Sequence, residues 1–256
     1  MTDFRSRIRS GETLIGVFSD LASPIAAELC GRAGFDWTVL DLEHGAATEA
    51  DLLALLYAVA STPMTPIVRV QSAERLRVGR ALDLGAAGIM LPQLQSADEV
   101  RAAVRYLRYP PAGSRGIALR TRGADMGALG HADLARVVNE RIVGIVQIEA
   151  PGTVADADEI AALDEVDVLF VGPADLSHNL GVPGRFDEPA YQDAIRTVVA
   201  ACRRHGKAAG ILIYDGAGLP PLLELGFRFI GIGSEGSFVS AGARAVLAAA
   251  GRAASA

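Results

Sequence analysis

Glu149 and Asp175 carry the first chemical signal in this chain. Each ends or follows a short apolar run, and no cysteine or ligating histidine lies close by. Two carboxylates without softer donors suit a hard divalent cation such as Mg²⁺ or Mn²⁺, with coordination positions left for water and substrate. The plainer alternative is that each caps the next helix or pairs with an arginine. Arg69 ends the run Pro66-Ile67-Val68. A guanidinium there needs an anion, either a substrate carboxylate or a rim salt bridge to Asp41 or Glu43. His44 follows Asp41-Leu42-Glu43, an acid/base position with a carboxylate near enough to hold its tautomer. A cation, an anion anchor and a base together describe chemistry on a small acid.

These residues must be positioned by something, and the apolar pattern says what. Runs at Leu14–Ser19, Trp37–Leu42, Pro66–Val70, Gly88–Leu91, Ile142–Ile148, Val168–Val171, Ala209–Ile213 and Phe229–Ile232 are nearly continuous in Val, Ile, Leu and Phe, as strands buried on both faces should be. Between them lie helix-period stretches. Ser96 with Glu99 makes a capping box, and Gly85, Gly206 and Gly226 stop the helices before them. Eight strand–helix units in 256 residues predict one α/β domain, a (β/α)₈ TIM barrel spanning 1–256. A doubly wound sheet would use fewer strands. In a barrel the chemistry belongs to the C-terminal ends of the strands. That rim reads Ser19 and Asp20; Asp41, Glu43 and His44; Arg69; Gln93; Gln147 and Glu149; Pro173 and Asp175; Tyr214 and Asp215; Ser234 and Glu235. Asp215 and Ser234 read best as helix caps. Glu149 and Asp175 end consecutive strands and should be rim neighbours.

Composition removes several classes. Half of the residues are apolar and 21% are charged, which excludes a disordered chain. The net charge is −6 and the basic residues are scattered, so neither nucleic acid nor an anionic membrane surface is an expected partner. No apolar run reaches the ~18 residues of a membrane span. The polar stretch Met1 to Arg9 lacks the core of a signal peptide, and the expectation is a cytoplasmic protein. Cys30 and Cys202 sit in apolar segments and predict two buried free thiols. His131 begins a helix, His205 closes one, and His178 falls in a loop after Asp175. Gly231-Ile232-Gly233-Ser234-Glu235-Gly236 matches a dinucleotide-binding pattern, but too little chain follows for a second strand bearing the ribose-binding acid. We read it as a turn after the eighth strand, and expect no NAD. Of 24 basic residues only Lys207 is a lysine. It precedes the seventh strand, at the rim opposite the carboxylates, so no Schiff-base lysine is expected. The irregular stretch Tyr109 to Gly130 is long enough to be functional or an interface element.

Asp41-Leu42-Glu43-His44-Gly45, Pro66-Ile67-Val68-Arg69-Val70, Tyr109-Pro110-Pro111-x-Gly113-x-Arg115-Gly116, Gln147-Ile148-Glu149 and Val171-Gly172-Pro173-Ala174-Asp175-Leu176-Ser177 together resemble the HpcH/HpaI family of class II pyruvate aldolases. The likeness runs from about Leu14 to Ser240 and favours the 4-hydroxy-2-oxoheptanedioate and 2-keto-3-deoxy-sugar-acid branch over the citrate lyase branch. It implies a metal-dependent retro-aldol cleavage of 4-hydroxy-2-oxoacids to pyruvate or hydroxypyruvate and an aldehyde. It implies Mg²⁺, Mn²⁺ or Co²⁺ on Glu149 and Asp175, with the 2-oxoacid held by Arg69, Gln147 and the segment Gly172, Pro173, Ala174 and Asp175. His44 would be the acid/base, supported by Asp41 and Asp83, and Leu212 would line the aldehyde side. It also implies a homohexamer that exchanges its C-terminal helix between subunits. Ala46-Ala47-Thr48, Arg120-Thr121-Arg122 and Ser177-His178-Asn179 depart from the family pattern and bear on the aldehyde tail. A CoA-thioester lyase and a non-catalytic acid-binding barrel are the competing readings.

Overall fold

Eight parallel strands close into a barrel in the computed structural model, which describes residues 4–252. The reading of Met1–Asp3 and of the last four residues lies outside the described residues. The strands are β1 (Leu14–Ser19), β2 (Trp37–Asp41), β3 (Thr65–Arg69), β4 (Gly88–Leu91), β5 (Val143–Ile148), β6 (Val168–Val171), β7 (Ala208–Ile213) and β8 (Phe227–Ser234), paired in chain order with β8 returning to β1. The helices are α1 (Phe4–Arg9), α2 (Pro24–Ala33), α3 (Glu49–Ala60), α4 (Arg75–Leu84), α5 (Ala97–Val104), α6 (His131–Arg141), α7 (Pro151–Ala155), α8 (Ala157–Ala161), α9 (Pro173–Asn179), α10 (Pro189–His205), α11 (Leu219–Leu225) and α12 (Glu235–Ala249). Gly85 and Gly206 stop α4 and α10 in left-handed conformations, φ 106° and 64°, which only glycine adopts without cost. No helix among the described residues is long and apolar enough to cross a membrane.

Period-two alternation sorts each strand into two columns. The outward column, including Leu40, Val68, Val146, Leu169 and Ile230, packs under the helices. The inward column, including Phe18, Trp37, Val39, Ile67, Ile145, Phe170 and Phe229, fills the barrel. Trp37 stacks on Phe229 with ring centroids 4.1 Å apart. A Cβ on Gly16 would lie 2.0 Å from the Trp37 ring, so β1 must carry glycine there. One inward step further along β2, β3 and β5 the same columns deliver Asp41, Arg69 and Gln147, and one more, just past β5, delivers Glu149. The polar rim at the C-terminal ends of the strands is thus a continuation of the core columns.

The opposite rim is plugged by α1. Phe4 meets Phe229 edge-on at 6.3 Å, and Arg5 Nε donates to both Asp167 oxygens at 2.8 and 2.9 Å, fully buried. Lys207 is tied down at this rim, its Nζ donating to the carbonyls of Leu163 and Val166 at 2.9 and 2.6 Å.

Several local expectations need correction. Strand β8 runs through Gly231-Ile232-Gly233 instead of turning there; alternating residues without side chains read as a turn, but Gly231 makes room for Phe18 and Leu212 inside the barrel and Gly233, at φ 67°, for Ser237 and Phe238 of α12. Cys202 is buried but Cys30 is only half-buried, packed at the margin of the core. Ser96 Oγ accepts from the Glu99 N–H, while the Glu99 carboxylate accepts from Gln95 N–H in place of the cap's own amide. His178 belongs to helix α9 and not to a loop. Asp215 and Ser234 do cap the helices after them.

Candidate active site

Asp41 and Arg69 are paired in register on β2 and β3, and their side chains meet above the core. Arg69 Nε and one terminal nitrogen donate to the two Asp41 oxygens at 2.8 and 2.6 Å. Its other terminal nitrogen lies 3.2 Å from Glu43 Oε2, and the guanidinium sits 5.3 Å from the Phe18 ring centroid. Burial works to raise the Asp41 pKa, but the Arg69 hydrogen bonds and charge outweigh it and hold the carboxyl below its usual range. The rim salt bridge considered for Arg69 therefore exists. It uses part of the five-donor guanidinium, and Arg69 also lines the cavity.

Glu149 leaves β5 beside Gln147, whose Nε2 donates to Glu149 Oε1 at 2.7 Å. The Gln93 amide, held at φ 60°, reaches Glu149 Oε2 at 3.3 Å. Burial pushes the Glu149 carboxyl up to about 7; the Gln93 N–H opposes this and the negative charge of Asp175 adds to it. Gly172 passes so close that a Cβ there would lie 2.4 Å from Glu149 Oε1. Pro173, Ala174 and Asp175 form the first turn of α9, whose amides have no partner within the helix. Asp41, His44, Arg69, Gln147, Glu149, Gly172, Pro173, Ala174, Asp175 and Leu212 all line one cavity of about 650 Å³ at the C-terminal end of the barrel.

Two supporting roles come out differently. Asp41 accepts the backbone amides of Glu43 and His44 at 3.0 and 3.3 Å, so it shapes the loop and holds Arg69 without touching the imidazole. Glu43 Oε2 is the carboxylate beside His44 Nε2, at 3.8 Å, and the imidazole is largely exposed. Asp83 is not brought into the cavity of this chain. It sits in the last turn of α4, which leads to the opposite rim, and pairs with Arg115 at 2.8 Å. That pairing docks the Tyr109–Gly130 stretch onto α4, and Arg122 in the same stretch lies 4.1 Å over the Tyr57 ring. His178 is not among the residues lining the cavity; its Nδ1 lies 2.9 Å from the Ala174 carbonyl.

Sequence reasoning missed the apolar side of the cavity, where Phe186, Tyr191, Ile195 and Leu222 line the wall. The available signal was Phe186 itself, an aromatic in a Gly/Pro-rich connection after a catalytic-rim helix.

Comparison with known proteins now decides the family. The family model described as HpcH/HpaI aldolase/citrate lyase matches residues 14–241. The chain belongs to that family. Among its relatives, the hydroxypyruvate/pyruvate aldolase of Sagittula stellata is 37% identical over 242 residues, 94% of this chain and 95% of that protein. The 4-hydroxy-2-oxo-heptane-1,7-dioate aldolase of Salmonella dublin is 35% identical over 96% of this chain and 93% of its own length. The crystal structure of an HpcH/HpaI aldolase/citrate lyase family protein from Burkholderia cenocepacia J2315 superposes with a TM-score of 0.90 at 36% identity, covering 96% of this chain and 98% of that one. The barrel and the aldolase family expected from the sequence both stand.

Proposed function

We propose that this carbon–carbon lyase is a divalent-metal-dependent aldolase, reversibly cleaving 4-hydroxy-2-oxoacids to pyruvate or hydroxypyruvate and an aldehyde. The observation that carries the reading is the convergence of Gln147, Glu149, Asp175, Arg69 and His44 on one cavity. The donor set fits a hard cation: all-oxygen, with Gln147 Oε1 buried and unpartnered and Glu149 buried without a cation of its own. Among the described residues no group of three His, Cys, Asp or Glu gathers, so Glu149 and Asp175 would hold the ion and leave its other positions to water and substrate. Such an ion supplies Lewis acidity toward the oxygens of the 2-oxoacid.

The protein's own groups do the rest. Arg69, fixed by Asp41 and Glu43, offers its free N–H groups to the substrate carboxylate, with the Ala174 and Asp175 amides beside it. In cleavage His44 takes the proton of the 4-hydroxyl. The C3–C4 bond breaks, its electron pair withdraws toward the 2-oxo group, and C3 then takes up a proton. Among the described residues Arg69 is the single guanidinium lining the cavity, which argues against a site for the phosphates of CoA. Release of pyruvate from 4-hydroxy-2-oxoacids without CoA, abolished by exhaustive chelation and restored by Mg²⁺, Mn²⁺ or Co²⁺, is the test. Full activity after chelation overturns the metal assignment, and ligand binding without turnover overturns the enzyme.

We further propose a homohexamer in which α12 is exchanged between subunits. Support comes from the exposure of Phe238, Val239, Val246 and Leu247 on α12 and of Ile25 and Leu29 on α2, apolar faces that a second copy can cover. Light scattering on the full chain against a chain ending before Ala241 tests it, and an unchanged mass overturns it.

A further inference from the structure

The catalytic cavity continues past β7 into a second compartment. Its lining includes Ile195 of α10, Ile211 and Ile213 of β7, and Pro221 and Leu222 of α11. Ile211 and Ile213 are in register with Ile230 and Ile232, whereas Leu212 opposes Gly231. By alternation Leu212 therefore faces the barrel interior and the two isoleucines face out. The compartment is a slot between the outer face of β7 and the two helices, a layer that barrels ordinarily pack solid. Here α11 has no buried residue and Leu212 and Ile213 stay partly exposed. Phe186 and Tyr191, with ring centroids 5.2 Å apart, form the wall on the α10 side.

The slot's chemistry is one-sided. Five carboxylates line the whole cavity (Asp20, Asp41, Glu149, Asp175 and Asp215) against one guanidinium, Arg69, which Asp41 and Glu43 already engage. Among the described residues no cation lines the β7 side. A carboxylate at the far end of a substrate would lose its hydration there without gaining a partner. A hydrocarbon chain would lose only apolar contact with water.

We propose that the slot behind β7 takes the tail of an apolar aldehyde, so that the preferred substrates carry an uncharged alkyl or arylalkyl group at C4. This rests on the aldolase reading and sharpens it. Cleavage moves the 4-hydroxyl proton off as C3–C4 breaks and C4 becomes the aldehyde carbon; C3 takes one proton and becomes the methyl or hydroxymethyl carbon of the 2-oxoacid. No oxidant or further reactant enters. A heptane-1,7-dioate substrate would instead release 4-oxobutanoate, whose carboxylate the slot cannot pair.

The test is aldol addition of pyruvate and of hydroxypyruvate, with the Mn²⁺-loaded full chain, to acetaldehyde, propanal, butanal, pentanal, hexanal, 3-phenylpropanal and 4-oxobutanoate. We expect kcat/KM to rise about fourfold per methylene up to hexanal, with 4-oxobutanoate about tenfold or more below hexanal, which has as many heavy atoms. Leu222→Trp fills the slot and should flatten that gradient. Should that variant not fold, Ile213→Phe reads the same gradient from the strand side. A flat or falling series, a preference for 4-oxobutanoate, or a gradient that survives a folded slot-filling variant overturns the assignment. Turnover of acetaldehyde with a flat series removes the slot assignment alone; no turnover with any aldehyde removes the aldolase reading with it.

Discussion

Gly172→Ala isolates the position of one carboxylate oxygen. The glycine sits at φ −91° and ψ 97°, a backbone that alanine accepts, so the change acts through the added methyl. That methyl would lie 2.4 Å from Glu149 Oε1, 2.8 Å from its Cγ and 3.0 Å from its Cδ, where ordinary contact begins near 3.4 Å. The carboxylate must therefore retreat by about 1 Å, which also breaks the 2.7 Å bond from Gln147. Displacement on that scale costs about 100-fold in rate, and disturbing a ligand's support costs about 10- to 100-fold in metal affinity. Crowding should cost about 1–3 kcal/mol of stability, offset by about 0.4–1 kcal/mol from the stiffer unfolded chain, so the fold survives. Gly79→Ala is the control: it lies mid-helix in α4 with nothing within 4 Å of its Cβ, and should stabilise slightly. Mn²⁺ titration, pyruvate release and urea unfolding would be measured on both. A folded Gly172→Ala protein that binds Mn²⁺ and turns over within twofold of wild type would refute the placement of Glu149 as a ligand.

Arg69→Lys should keep the charge, lose the fork and lower kcat/KM for the 2-oxoacid about 10- to 100-fold. Arg69→Ala should add about 3–5 kcal/mol of destabilisation by leaving Asp41 buried without its partner; 2-oxoacid kinetics unchanged in either variant put the anchor elsewhere. Because the Glu149 carboxyl lies at about 7 in the metal-free protein, protons compete with the cation below that pH. Mn²⁺ affinity should fall about tenfold per pH unit below 7 and level off above it, and a flat profile down to pH 5.5 contradicts the assignment. Lys207→Met should retain most activity, and borohydride with pyruvate should trap no adduct, since Nζ is bound at the far rim; an adduct at Lys207 reverses the mechanism. Burial pushes the Cys202 thiol up to about 12, so it should not react with a thiol-specific disulfide reagent at pH 8 until the protein unfolds, whereas half-buried Cys30, pushed up to about 11, should react slowly in the folded protein. Native-state labelling of Cys202 would contradict the packing of α10.

The legible parts of the sequence were those in which one column decides everything. Strands β1, β4 and β6 have the bounds expected from their apolar runs, and the rim residues follow from where those runs stop. The misread parts depend on neighbours that are distant in the chain. Gly231 looks like part of a turn until Phe18 and Leu212, which need its space, are placed across the barrel. Asp83 carries no mark of its partner, because Arg115 lies 32 residues away on an irregular stretch. The slot behind β7 was hidden for another reason: Ile211 and Ile213 read as core, and only the loose seating of α11 leaves space over them.

The inward column of β5, Val143, Ile145, Gln147 and Glu149, passes from barrel filling to chemistry without an intervening loop. On the proposed reading the acid-binding half of the reaction inherits the stiffness of the sheet, while the aldehyde half would be assembled from α10, α11 and the connections around them. Such a division makes the two halves separately inheritable. Exchange of the α9–α10 connection or of α11 between relatives should transfer the choice of aldehyde and leave the 2-oxoacid donor where it was.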